Sequence, residues 1–240
     1  MISYHPDSRF LTDFASGNLP LGEAVCVSAH LEFCGRCRVH VQQLKELGVS
    51  LFSRIAPEPL AQDSFEQLMT KIDAADGPAQ EAEPAAQQVP RRAAASAPRM
   101  HWPRALGQWP EQGLAGLQWA QFGKALRIAP LPISGDAREL ALYDIKAGGR
   151  MPEHEHRGEE ITVLLKGSFS DVDGSYAKGD FVVRNAGEAH QPTATQDADC
   201  ICLVCLEHPV QPRGFFYRLV GPLVQYRLNK AKRSMAGLAR

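Results

Sequence analysis

At 240 residues, with 44% hydrophobic and 22% charged side chains, the chain has an ordinary globular composition and is long enough for one large or two small domains. A net charge of −1 excludes a protein that binds polyanions by overall charge, and no run of 18 apolar residues offers a membrane-spanning helix. The opening MISYHPDSRF lacks a basic stretch followed by an apolar one, so no signal peptide is expected. The six cysteines then belong in a reducing cytoplasm, where clustered thiols are more often metal ligands or redox groups than disulfides.

Residues 1–76 read as helical. Asp7 is placed to cap a first helix that carries Phe10, Leu11 and Phe14 on one face and stops at Gly17. A second helix begins near Leu21 and runs through Val25 towards His30. A third, from about Arg36, spaces Val41, Leu44, Leu47, Leu51 and Ile55 three to four apart and ends before Pro57 and Pro59. Ser64 and Gln67 suggest a capping box for a fourth, with Leu68, Met69 and Ile72 on its apolar side. Four short helices make a thin core, of the kind that often needs a metal staple. This module holds six Lys/Arg against ten Asp/Glu, which suits a basic protein partner better than DNA.

Residues 77–100 follow as a flexible linker. The stretch from 77 to 99 has four prolines, eight alanines and, as its single larger aliphatic, Val89, too little apolar surface to offset the entropy of ordering. From 101 the texture changes to short β-rich runs, ELALYDIKAG, EITVLLKGSFSD, GDFVVRN and DCICLVCLE, parted by glycine and acidic turns. These predict an antiparallel barrel or jelly roll over 101–225, with Trp102, Trp109 and Trp119 in a lead-in that packs on it, before a basic tail at 226–240. The expected fold is therefore α+β in series, a small all-α domain followed by an all-β barrel.

Two clusters carry chemistry. In HLEFCGRC (30–37), His30 and Cys34 lie four apart and share a helical face, while the two-residue gap between Cys34 and Cys37 lets both sulfurs reach one tetrahedral ion. Gly35 is expected to permit the tight turn between them. A lone C-x2-C can instead be a redox pair, but no thioredoxin-like context surrounds it. His5 is the candidate fourth ligand, or else a solvated terminal residue; two His and two Cys would close the shell around a structural zinc. Cys26 reads as a small core residue, and His40, His101 and His208 as surface residues.

His5, the ASGNLP run (15–20) and AHLEFCGRCR resemble the zinc-containing anti-sigma domain, and most closely the ChrR type, in which a cupin domain follows. The run GGRMPEHEHRGEEITVLLKG (148–167) resembles the first cupin motif, with Gly148, His154, His156, Glu160 and Gly167 at its spacing. Two histidines two apart on an extended segment both enter the barrel, and Glu160 supplies an oxygen to the same ion. A second motif is partial: Gly179, Gly187 and His190 occupy its places, with Asn185 and Ala194 where proline and asparagine are usual. His190 then completes a His3Glu set suited to zinc first, or to iron, manganese or nickel. Cys200 and Cys202 share one face of a strand with Val204 and Leu206, and Cys205 points the other way; buried hydrophobes are the default reading of all three, redox sensing the sharper one.

The resemblance implies an anti-sigma factor. Its helices would hold an extracytoplasmic-function sigma factor in a 1:1 complex, and its metal-bearing cupin would respond to singlet oxygen or a related oxidant, without direct nucleic-acid or membrane binding. A metal-dependent cupin enzyme, a dioxygenase or isomerase, and a small-molecule sensor are the alternatives.

Overall fold

A computed structural model of the protein describes residues 2–61, 63–75, 103–107, 113–209, 211–212, 226 and 228–231. Helix α1 (Ser8–Ser16) starts where the Asp7 carboxylate accepts the Phe10 N–H at 3.1 Å and stops where Gly17 turns left-handed at φ 77°. Helix α2 (Leu21–Phe33) ends at Cys34, whose extended backbone (φ −105°, ψ 102°) turns the chain directly into α3 (Gly35–Phe52). Gly35 is not what makes that turn possible. Its φ is not positive, and an added Cβ would meet nothing nearer than Arg38 Nη2 at 3.5 Å. Helix α4 (Ser64–Ala75) begins at its expected cap, one residue earlier than the sequence suggests. Asp63, not Ser64, precedes it and accepts from Gln67 Nε2 at 2.5 Å.

The strands are β1 (Ala120–Phe122), β2 (Leu126–Leu131), β3 (Glu139–Ile145), β4 (His154–Glu155), β5 (Glu160–Lys166) and β6 (Ser168–Ser170). They continue as β7 (Ser175–Ala177), β8 (Phe181–Arg184), β9 (Ala189–His190), β10 (Thr193–Ala194), β11 (Cys200–Leu206) and β12 (Gln211–Pro212). A six-stranded sheet has the order β1-β2-β3-β11-β5-β8, and two three-stranded sheets have the orders β10-β6-β7 and β12-β4-β9, all antiparallel. Two turns show why the expected glycines stand there. Gly167 sits at φ 68° with room for no Cβ, which would lie 2.5 Å from the Asp199 carbonyl oxygen, and Gly148 sits at φ 67° against Gln196.

Along the chain the order is helices then barrel, as expected. In space, Met1–Gly48 and Met100–Arg240 form one compact unit, and Val49–Arg99 another. The reason is legible in β11, buried at every position. Cys200, Cys202, Val204 and Leu206 point into the barrel with Ile128, Tyr143, Leu164 and Phe169, while Ile201, Leu203 and Cys205 join Phe10, Val25, Cys26 and Ala29 of the helices. Strands covered on both faces read as continuous apolar runs rather than alternating ones. Phe10 crosses Phe181 at 5.3 Å between ring centres, each almost fully buried; burying one such side chain is worth about 1.5–3 kcal/mol. A short 3-10 turn at Arg104–Leu106 packs its buried Leu106 against α2, and the Trp119 indole donates to the Leu114 carbonyl. Trp102, Trp109, His101, the whole 77–100 linker and most of the basic tail lie outside the described residues.

The apolar stripe expected on α3 is buried only at its start. Val41 is buried and Leu44 partly so, but Leu47 and Leu51 are 55% exposed, Val49 69% and Phe52 75%. On α4, Phe65, Leu68, Met69 and Ile72 are exposed as well. No helix among the described residues is long and apolar enough to cross a membrane.

Candidate metal centres

The N-terminal cluster is assembled where three segments meet. His5 comes from the extended chain before α1, His30 from the last turn of α2, Cys34 from the junction and Cys37 from the first turn of α3. Their ligand atoms all lie within 4.8 Å of one another, and only His5 is not fully buried. His5 Nδ1 stands 3.4 Å from both Cys34 Sγ and Cys37 Sγ, close to the roughly 3.5 Å that separates N and S ligands on a tetrahedral ion of zinc size. The Cys37 N–H donates to Cys34 Sγ at 3.5 Å, as it would to a thiolate. His30 donates its Nδ1–H to the Gly179 carbonyl at 2.7 Å, which leaves the Nε2 lone pair facing the cluster. That Nε2 is buried and has no hydrogen-bond partner. An orphaned acceptor in a dry site costs about 1–3 kcal/mol unless something else engages it.

Electrostatics say the same. Burial pushes His30 down to about 4 and, with the neighbouring Cys34, pushes Cys37 up to about 12. Without a cation His30 is held as neutral imidazole and Cys37 as thiol; a divalent ion reverses the balance for the sulfur and uses the imidazole lone pair as it stands. His40, by contrast, is exposed.

The second cluster lies inside the barrel. His154 on β4, His156 just beyond it and His190 on β9, which pairs with β4, bring three ligand nitrogens within 4.8 Å. The Nε2 atoms of His154 and His190 are 3.0 Å apart, and those of His156 and His190 3.1 Å. Outer contacts set the tautomers: His154 donates from Nδ1 to the Pro152 carbonyl at 2.9 Å, and His190 from Nδ1 to Asp171 at 3.0 Å. The Nε2 lone pairs of those two rings therefore face each other, an arrangement a shared cation relieves and a hydrogen bond cannot supply. Burial lowers all three, His154 to about 4 and His156, beside two other imidazoles, to about 3, so they stay neutral and ready to ligate.

Glu160 is not brought into this group. Its Oε2 lies 3.6 Å from Nδ1 of His156 rather than beside the Nε2 atoms, and its Oε1 accepts from Thr162 at 3.0 Å. Burial raises its carboxyl to about 7, so it is poised between protonated and charged forms near neutrality. Next to the histidines, a cavity of about 20 Å³ is lined by Met151, Phe169, Cys202 and Val204 among others, enough for about one water.

Sequence reasoning missed the shell around His190. The Asp171 side chain is fully buried and accepts from Arg184 Nη2 at 2.8 Å, and the same Nη2 reaches the Tyr176 hydroxyl at 2.7 Å. Nothing in the run SDVDGSYAKGD marks these residues, because their partners come from separate strands. Of the C-terminal thiols, Cys202 lines the cavity beside the histidines. Cys200 and Cys202 stand 3.6 Å apart, and the hydrogen bond to Cys200 with burial raises the Cys202 thiol well above its ordinary range. Burial does the same to Cys26, beside Cys205, which favours the packing role for these thiols.

The fold and its clusters define the class: helices carrying a buried His2Cys2 cluster, packed on an antiparallel barrel with three converging histidines. Residues 113–210 match the ChrR cupin-like domain family. The anti-sigma-E factor ChrR of Cereibacter sphaeroides is 30% identical over 221 residues, 92% of this chain and 97% of that one. The crystal structure of Rhodobacter sphaeroides SigE in complex with the anti-sigma ChrR is similar at a TM-score of 0.66, with 29% identity over 86% of this chain and 99% of that chain. The chain belongs to the ChrR family of anti-sigma factors, which are regulators and not enzymes.

Proposed function

We propose that the protein binds an extracytoplasmic-function sigma factor one to one in the cytoplasm, keeps it from RNA polymerase, and releases it under oxidative stress such as singlet oxygen. The observation that carries this reading is likeness over nearly the whole length of an anti-sigma factor, with the four N-terminal ligands gathered at one point. His5, His30, Cys34 and Cys37 hold a structural zinc that pins the junctions of α1, α2 and α3. His154, His156 and His190 hold a second divalent ion, zinc first, with iron, manganese or nickel as alternatives, and Glu160 joins them by a change of rotamer.

Residues 1–76 form the sigma-binding part. The exposed Leu47, Val49, Leu51 and Phe52 on α3, and Phe65, Leu68, Met69 and Ile72 on α4, supply apolar surface of the kind that marks a partner site. In the barrel, His154 and His190 are each aimed by an outer acceptor, and the small cavity beside them suits a sensor of small oxidants.

The test is reconstitution. Full-length protein, metal-replete, should co-purify with its sigma factor and block run-off transcription by the holoenzyme. Failure of metal-replete protein to bind any extracytoplasmic-function sigma factor encoded beside it would overturn the reading.

A further inference from the structure

The turn between β7 and β8 belongs to the barrel, yet it holds the N-terminal cluster. Asp180 is 2% exposed, and its Oδ1 accepts from the backbone N–H groups of Ser3 at 2.8 Å and Tyr4 at 3.1 Å. Its Oδ2 accepts from the Ala177 N–H at 2.8 Å. The Phe181 N–H then donates to the Tyr4 carbonyl at 3.1 Å. These bonds fix the backbone one residue before His5. The preceding Gly179 supplies the carbonyl that takes the His30 Nδ1–H. Gly179 sits at φ 93°, and a Cβ on it would lie 2.7 Å from Ile2 Cδ1 and 3.0 Å from Phe33 Cβ, so the turn is wedged between the start of the chain and the end of α2. Two of the four N-terminal ligands are thus oriented by one barrel turn.

The same segment reaches the other cluster. The Tyr4 and Tyr176 rings lie 4.7 Å apart. The Tyr176 hydroxyl accepts from Arg184, Arg184 donates to Asp171, and Asp171 accepts from His190. Tyr4 is 38% exposed; the steps beyond it are contacts between buried or half-buried groups with defined geometry. Outer-shell partners of metal ligands typically matter by 10–100-fold in metal affinity.

We propose that residues 171–184 form an outer shell shared by both clusters, with Asp180 positioning His5 and Gly179 positioning His30, so that filling the barrel site slows loss of zinc from the N-terminal one. A metal on His190 holds Asp171, Arg184 and Tyr176 in one arrangement, and Tyr176 packs on the residue next to His5. By linkage the effect is reciprocal in binding free energy: tighter N-terminal zinc means a tighter barrel metal. The inference rests on the reading of both clusters as metal sites.

The experiment uses the full chain and follows zinc transfer from the N-terminal cluster to a chromogenic chelator. As a second readout, cobalt placed in that cluster reports its geometry through its d–d bands. Emptying the barrel site with His154→Ala and His156→Ala should speed N-terminal release about fivefold or more and shift the cobalt bands. Asp180→Ala should speed release about tenfold, and Asp180→Asn, which keeps an oxygen for Ser3 and Tyr4, should restore most of the loss. Tyr176→Phe keeps the ring but loses the hydroxyl link; the filled protein should then release N-terminal zinc at the faster rate of the emptied one, and emptying the barrel should have no further effect. Wild-type release rates in Asp180→Ala together with no effect of emptying the barrel would overturn the coupling while leaving both sites intact. A wild-type chain with no metal at the N-terminal cluster would overturn the site reading as well.

Discussion

The two clusters draw ligand atoms together by opposite means. The N-terminal one joins three separate segments through His5, His30, Cys34 and Cys37, and thin helices depend on it for their junctions. The barrel one sits on paired strands that other contacts already hold, with a small cavity beside it. On the proposed function, the first would staple and the second would respond. Loss of the first should unmake the partner surface, whereas loss of the second should leave that surface in place.

The largest expected effect follows from breaking the staple. Cys34→Ser with Cys37→Ser should remove the N-terminal zinc, whose binding supplies about 10–16 kcal/mol in zinc-finger peptides, and abolish sigma-factor capture in a pull-down. Binding at wild-type strength by a metal-free double variant would erase the distinction between the clusters. The counterpart change, His154→Ala with His156→Ala, should remove the barrel metal and leave sigma binding within about threefold. Run-off transcription should then stay blocked under singlet oxygen. If this pair destroyed binding too, the two-role comparison would fail.

A smaller effect concerns pH in chelated protein. Burial holds His154 near 4 and His156 near 3, against an unfolded value of about 6.5. The unfolded chain therefore takes up protons that the folded one refuses. The share of stability that these histidines supply should be flat above pH 7 and fall below about 6.5, by roughly 3 kcal/mol for His154 by pH 4, while Glu160, raised to about 7 by burial, shifts stability the opposite way; denaturant melts of the wild type and of Glu160→Gln separate the two. Metal-loaded protein should resist this loss until protons displace the ion. The smallest effect tests where the partner sits. Leu51→Ser with Phe52→Ser, both largely exposed, should weaken sigma binding about tenfold or more with little change in melting temperature. Unchanged affinity would move the interface off this face of α3.

Much of this was legible in the sequence, and the failures have physical reasons. Asp7 and Gly17 gave the ends of α1 because caps are local chemistry, and the five spaced residues of the first cupin motif located the barrel cluster because strand alternation is local too. Face assignment along β11 also held, with Cys205 turned towards the helices and Cys200 and Cys202 inward. The turn role given to Gly35 did not hold, since Cys34 turns the chain with an ordinary extended backbone. Spacing alone could not tell that α1–α3 cover the six-stranded sheet, for an unbroken apolar strand reads the same whatever lies on its second face. Asp171, Arg184 and Asp180 escaped notice because polar residues in turns are ordinary until their long-range partners are known. Glu160 was expected among the ligands, and its carboxylate instead faces the far edge of His156 and Thr162.

Native mass spectrometry of the complex with the sigma factor tests the central claim most directly. The account predicts one copy of each protein with two metal ions, of which the one held by His5, His30, Cys34 and Cys37 is zinc and cannot be stripped without dissociating the pair. A complex that survives intact after that zinc is removed would contradict it.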